Sequence, residues 1–252
     1  MVQQYSGLNA SHPSDKLTAL SGISEQFQAK LQCEYLAGLW SNDLLRGLAW
    51  IVADGNKACR RLPYRAPTWS WASLDKLHSP QSEHRGVRVT YVFTKSLRQD
   101  DRLEVKSASV PITGSNPYGT VAEGGHIVLK AAFLTPCTAE IETEIVMTGE
   151  IESTLLLQFK GHKTKIRVQP DVSFTSLPMG IRQMPNYAQD LRWLFLGEGG
   201  NQYHGLLLKL LDRQRDLYER VGMARFYMLS VDLKDFAEVL LLRLYNCPKL
   251  AS

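Results

Sequence analysis

The chain has 252 residues, 44% hydrophobic and 21% charged, a balance ordinary for a globular protein with a sizeable core in one large domain or two small ones. Its formal charge is only +4 and its Lys and Arg are scattered, which excludes a nucleic-acid patch as the organising feature. No apolar run reaches the ~18 residues of a membrane span, so no membrane partner is expected. The four cysteines (Cys33, Cys59, Cys137, Cys247) form no C-x-x-C pair and read as thiols in a reducing compartment. The N-terminus lacks the basic and apolar regions of a signal peptide, and the expectation is a cytoplasmic protein.

Residues 1–13 are polar. Ser14 is placed to cap a helix, and Leu17, Leu20, Ile23, Phe27 and Leu31 follow at three- and four-residue steps. That spacing predicts one amphipathic helix with a buried apolar face. Gly22 weakens it, and a close helix contact would explain the glycine. A second apolar block is Tyr35-Leu36-Ala37-Gly38-Leu39-Trp40. Ser41-Asn42-Asp43 then offers a cap for a short helix through Leu44, Leu45 and Leu48, with Trp40 and Trp50 buried against it. Asp54-Gly55-Asn56 is a turn signal.

Tyr64-Arg65-Ala66-Pro67-Thr68-Trp69-Ser70-Trp71-Ala72-Ser73 is the seam between this helical part and the strands after it. Pro67 favours extended backbone before it, and in an extended segment Trp69 and Trp71 would share one apolar wall. Arg65 is the residue here to test against a carboxylate ligand; the alternative is that it pairs internally and orients the seam.

After a polar loop at residues 79–84, alternation predicts strands around Val87–Phe93, Leu103–Ser107 and Ile127–Phe133, ending at Pro136. Residues 114–119 are a turn. Strands follow at 154–159, 165–168 and 191–196, and residues 176–186 read as a loop. Residues 206–221 suit a helix by propensity or two strands joined by the charged turn 212–216. Gly205 and Gly222 favour the hairpin. Residues 239–244 read as a last strand, with a helix ending as the alternative.

Gly197-Glu198-Gly199-Gly200 lacks the third glycine and following helix of a dinucleotide loop, and reads as a hairpin turn. The six histidines (His12, His78, His84, His126, His162, His204) are far apart and read as surface residues. Asp15, Asp43 and Asp75 read as caps and turn residues. A Cys–His pair built on Cys33 or Cys137 has no feature to single it out. No catalytic residue, cofactor or metal site is expected.

Several of these stretches, taken together, resemble the downstream part of fungal heterokaryon-incompatibility (HET) domain proteins. Ser14-Asp15-Lys16-Leu17-Thr18-Ala19-Leu20-Ser21-Gly22-Ile23 resembles their P-S-D-K-L-P-A-L-S-G-I-A. The block from Tyr35 to Trp40, with Leu36 and Gly38, is similar to Y-L-A-G-L-W. Residues 64–73 are similar to Y-R-A-P-S-W-S-W-A-S. Asn116-Pro117-Tyr118-Gly119 with Gly124-Gly125, and Tyr218-Glu219-Arg220-Val221-Gly222, resemble later motifs. The upstream patterns that define the HET core, Y-x-A-L-S-Y-x-W-G and L-W-I-D-x-L-C-I-D-Q, do not occur in this sequence.

The resemblance implies a role in non-self recognition and programmed cell death after fusion of unlike fungal cells. It implies no activity on residues of this chain, because the core's residues are absent. The expectation is an accessory or regulatory, non-enzymatic region, in truncated form, whose partner is a HET core or another HET-type protein. An apolar patch beside residues 1–50 would be its mark. The alternatives are an enzyme with a cleft between helical and strand parts, and a β-module binding carbohydrate or peptide through Tyr118 or Tyr203. The family-signature residues are Asp15, Leu17, Leu36, Gly38, Trp40, Tyr64, Arg65, Pro67, Trp69, Trp71 and Ser73. The expected fold is α+β: a helical subdomain (1–62), the Trp-rich seam (63–80) and an antiparallel β-sandwich or barrel-like domain (81–252).

Overall fold

The computed structural model describes residues 1–8, 10, 12–53, 58–60, 63–76, 86–92, 97–131, 134–145, 151–159, 162–172, 190–227 and 240–245. The expected turn at 54–56, the loops at 79–84 and 176–186, His78, His84 and Cys247 lie outside the described residues, and so does the side chain of His162.

The fold is α+β, with N-terminal helices followed by a large, mostly antiparallel sheet. The helices are α1 (Val2–Tyr5), α2 (Ser21–Leu31) and α3 (Leu44–Gly47). Short strands lie among them and just after: β1 (Tyr35–Leu36), β2 (Leu39–Trp40), β3 (Trp50–Val52), β4 (Ala58–Arg60), β5 (Leu74–Lys76) and β6 (Val89–Tyr91). They pair as β1–β2, β3–β6 and β4–β5, all antiparallel.

The expected helix from Ser14 to Leu31 is not continuous. Pro13–Lys16 and Thr18–Leu20 are 3-10 turns, and only Ser21–Leu31 is α-helical. Ser14 does not cap it; its hydroxyl donates to Asp15 Oδ1 at 3.1 Å. A Cβ added at Gly22 would meet nothing within 4 Å, so no close helix contact explains that glycine.

The large sheet uses β7 (Leu97–Gln99), β8 (Glu104–Ser109), β9 (His126–Ala131), β10 (Leu134–Ile145), β11 (Ile151–Phe159), β12 (His162–Pro170), β13 (Leu191–Gly199), β14 (Gln202–Asp212), β15 (Leu217–Tyr227) and β16 (Leu240–Tyr245). Its order is β12-β11-β10-β13-β14-β15-β16-β9-β8, with β7 on β13. Among the described residues, the only parallel pair in this order is β15–β16, over Leu217↔Arg243 and Tyr218↔Leu244. The sheet curls until β12 also pairs with β15, from Arg167↔Arg225 to Pro170↔Gly222.

Residues 206–221 belong to a hairpin, as the glycines suggest, and 240–245 form a strand. Gly200 turns the chain between β13 and β14 with φ +63°. Pro136 does not end a strand: it sits inside β10, opposite Arg192. The core runs without a break from Leu17 and Leu48 in the N-terminal part to Leu206, Met223 and Leu244 in the sheet. Among the described residues, no helix is long and apolar enough to cross a membrane.

Candidate functional site

The seam folds as a compact junction rather than an extended wall. Ser70 N–H donates to Pro67 O at 2.9 Å, and Trp71–Ser73 is a 3-10 turn capped by Ser70 Oγ, which accepts from Ala72 N–H at 3.1 Å. Trp69 and Trp71 are both fully buried, and so is Trp50. Their polar edges tie the N-terminal segments together. Trp50 Nε1–H donates to Trp69 O at 2.9 Å and Trp71 Nε1–H to Gly38 O at 3.0 Å. Ser70 Oγ donates to Ala37 O at 2.5 Å, and Ser73 Oγ to Ser70 O at 2.7 Å.

The β1–β2 hairpin turns on Ala37 (φ +48°) and Gly38 (φ +96°), the left-handed pair that a two-residue hairpin loop demands. Gly38 is doubly constrained, since a Cβ there would lie 2.8 Å from Trp71 Nε1. Pro67 packs just as closely on Gly125, where a Cβ would stand 2.6 Å from its Cγ. The stretches that carry the resemblance therefore converge on one junction.

Buried cations complete it. Arg65 has no open valence for a ligand: Nε donates to Ala72 O (2.7 Å), Nη1 to Pro13 O (2.7 Å) and Asp75 Oδ2 (2.9 Å), and Nη2 to Leu74 O (2.9 Å) and Asp75 Oδ1 (2.9 Å). Asp75 is thus the strand-borne partner of Arg65 rather than a cap. Lys16 is buried, donates from Nζ to Leu74 O at 2.6 Å and sits 5.7 Å from the Trp71 ring centre. Burial, with the Arg65 charge adding to it, pulls its ammonium down to about 8.

Three residues that the motif reading did not single out as a unit form the deepest contact. Arg220 on β15 is fully buried and grips Asp171 through Nε (2.9 Å to Oδ2) and Nη2 (2.9 Å to Oδ1). It also donates to Leu48 O and, at 2.6 Å, to Trp50 O, and it lies 3.4 Å over the Trp50 ring. Arg60 adds bonds to Asp171 Oδ2 (3.0 Å) and Arg220 O (2.9 Å). Burial pulls the Arg220 guanidinium down from its ordinary range, against the pull of Asp171.

Leu17 and Leu36 are buried in the core, Asp15 is exposed, and Trp40 is half-buried, edge-on to Tyr35 at 5.0 Å, rather than buried as Trp50 is. The Tyr64 hydroxyl is buried without a hydrogen-bond partner among the described residues, and burial raises its ionisation. Asp43 precedes α3 without a side-chain cap bond and pairs with Arg46 at 3.7 Å. Tyr203 is not an exposed aromatic; it is buried against Phe195 and Phe226. His204 is not a surface histidine either. It is buried, and desolvation with the Arg225 charge lowers it to about 4. Burial likewise pushes the Cys137 thiol up to about 12, so it is no ready nucleophile. Among the described residues, no group of three or more His, Cys, Asp or Glu is placed to hold a metal ion.

The outward-facing feature beside the junction is α2. Leu20 and Ser24 are its buried contacts, and Gln28, half-buried, accepts from the Tyr118 hydroxyl. Leu20, Ser24 and Gln28 are four apart, so a narrow seam holds the helix. Ile23, Phe27 and Leu31 run alongside that seam at the same spacing and remain 43%, 41% and 38% exposed. This departs from the expected buried face: the periodicity is present, and the chain's described residues cover it only in part. The opposite flank borders an open groove of about 480 Å³ whose lining includes Glu25, Gln28, Glu34 and Tyr118. No family model matches the chain, and neither a curated protein nor a solved structure does.

Proposed function

We propose that the chain is an accessory, regulatory and non-enzymatic region of a fungal HET-type protein, working in the cytoplasm in heterokaryon incompatibility. Its role is to hold a HET core against the outer face of α2. The observation that carries this is the row Ile23, Phe27 and Leu31, left exposed on a helix whose neighbours Leu17 and Leu20 are buried. Apolar side chains at helical spacing gain stability only when covered, and uncovered rows mark sites of association. The ordered resemblance of residues 14–23, 35–40 and 64–73 to HET-type motifs supplies the class of partner.

The test is capture of full-length HET-type proteins by the purified chain. Binding that Phe27→Asp abolishes supports the reading. Failure to capture any of them, or capture indifferent to Phe27→Asp and Ile23→Asp, contradicts it.

A further inference from the structure

The strands β10, β11 and β12 form an antiparallel meander whose backbone pairing to the rest of the sheet is short at both ends. β10 pairs with β13 through three residues, Leu134↔Leu194 to Pro136↔Arg192. β12 pairs with β15 through four, Arg167↔Arg225 to Pro170↔Gly222. Between these ends the three strands pair with one another, with up to seven paired positions between β11 and β12. Such a unit opens as a body when its attachments give way.

The attachment at β15 carries more than backbone pairing. At β15 the next residue after β12, Asp171, anchors the end twice: its N–H donates to Val221 O at 2.9 Å, and its carboxylate receives both Arg220 and Arg60. Arg220 in turn reaches Leu48 O and Trp50 O in the N-terminal part. One carboxylate thus joins the end of the meander to β15, to β4 and to β3. Ile166 and Val168 add buried apolar contacts at the same end. Close approach is required too, because a Cβ on Gly222 would lie 2.7 Å from Gln169 O.

We propose that β10–β12 is a hinged arm latched onto β15 by Asp171, so that release of this latch opens the edge of β15 at residues 222–225. An opened edge of that kind presents unpaired backbone groups, the surface on which an extended segment pairs. The inference stands independently of the partner proposed for α2.

Hydrogen exchange on the full chain tests it. In Asp171→Asn, amides of residues 164–170 and those amides of 222–225 that face β12 exchange at least about tenfold faster, while the β13–β14 and β9–β16 pairings keep their protection. Gly222→Ala leaves the carboxylate and both guanidiniums in place, pushes β12 away, and gives the same pattern. It decides the matter alone if Asp171→Asn does not fold. Faster exchange spread equally over β9, β13, β14 and β16 overturns the proposal, and so does unchanged exchange at 164–170 in both variants that fold.

Discussion

The Trp junction and helix α2 lie next to each other and treat their apolar side chains in opposite ways. At the junction, a stretch without a sustained helical or strand period is completely buried at its rings: Trp50, Trp69 and Trp71 lose all exposure. In α2 the periodicity is regular, yet Ile23, Phe27 and Leu31 stay more than a third exposed. The difference lies in what each segment offers its neighbours. The Trp50 and Trp71 indole N–H groups, Ser70, Arg65 and Lys16 donate to backbone carbonyls of other segments, which fixes the rings in the interior, while Trp69 Nε1–H is buried with no hydrogen-bond partner among the described residues. Helix α2 offers only side-chain surface, and the body takes the narrow seam of Leu20, Ser24 and Gln28. Periodicity says that a face exists; it does not say what covers it.

The sharpest way to break this contrast is at the deepest contact of the junction. Arg220→Ala removes one partner of a fully buried pair and leaves Asp171 with Arg60 alone. The expected loss is about 3–5 kcal/mol of unfolding free energy, read by denaturant titration.

Lys16 gives the next effect, through pH. Its folded-state value near 8 lies below the 10.5 of an unperturbed lysine, so between these values the unfolded chain binds the extra proton. Stability therefore rises as pH climbs from about 8, by up to about 3 kcal/mol over the whole window. Above pH 10 the tyrosines oppose it. Burial raises Tyr35 to about 12 and lifts Tyr64 and Tyr91 as well, so unfolded tyrosines ionise first and stability falls. Denaturation midpoints from pH 7.5 to 9.5 should climb in the native sequence and fall in Lys16→Met, where ionisation of the unfolded Cys137 thiol, held up to about 12 in the fold, acts unopposed.

Gly38→Ala sharpens the comparison at the backbone. It places a side chain at φ +96° and against the Trp71 indole, for an expected loss of about 1–3 kcal/mol. The smallest effect comes from α2 itself. Gly22→Ala meets no neighbour within 4 Å and should raise stability by about 0.5–1 kcal/mol, seen as a higher midpoint. A loss there would mean that the helix is constrained in a way its free surface does not suggest.

Much of the sheet was legible because its strands are long enough for alternation to show. His126–Ala131 reads half-buried and buried in strict turn, and the glycines at 205 and 222 marked the β14–β15 hairpin. The strands β1 to β5 were not legible, since two or three residues are too few to display a period of two, whereas β6 falls within the strand expected around Val87–Phe93. Nor was the contact among Arg60, Asp171 and Arg220, whose members are 49 and 111 residues apart in sequence. One signal was present: Arg220 falls two residues after the buried Tyr218, at an inward position just before the apolar run Val221-Gly222-Met223-Ala224. A charge at such a position demands a buried partner. Helix α2 differs again: the apolar period is plain in the sequence, but of Leu17, Leu20, Ile23, Phe27 and Leu31 only the first two are buried, because the body takes the neighbouring row of Leu20, Ser24 and Gln28.

We propose above that the α2 row serves association rather than folding. The direct measurement is capture of HET-type proteins by the double variant Ile23→Ser/Phe27→Ser, checked to unfold within about 0.5 kcal/mol of the native chain, as surface substitutions do. The native chain is expected to capture its partner and this folded variant is not. Equal capture by both would contradict it.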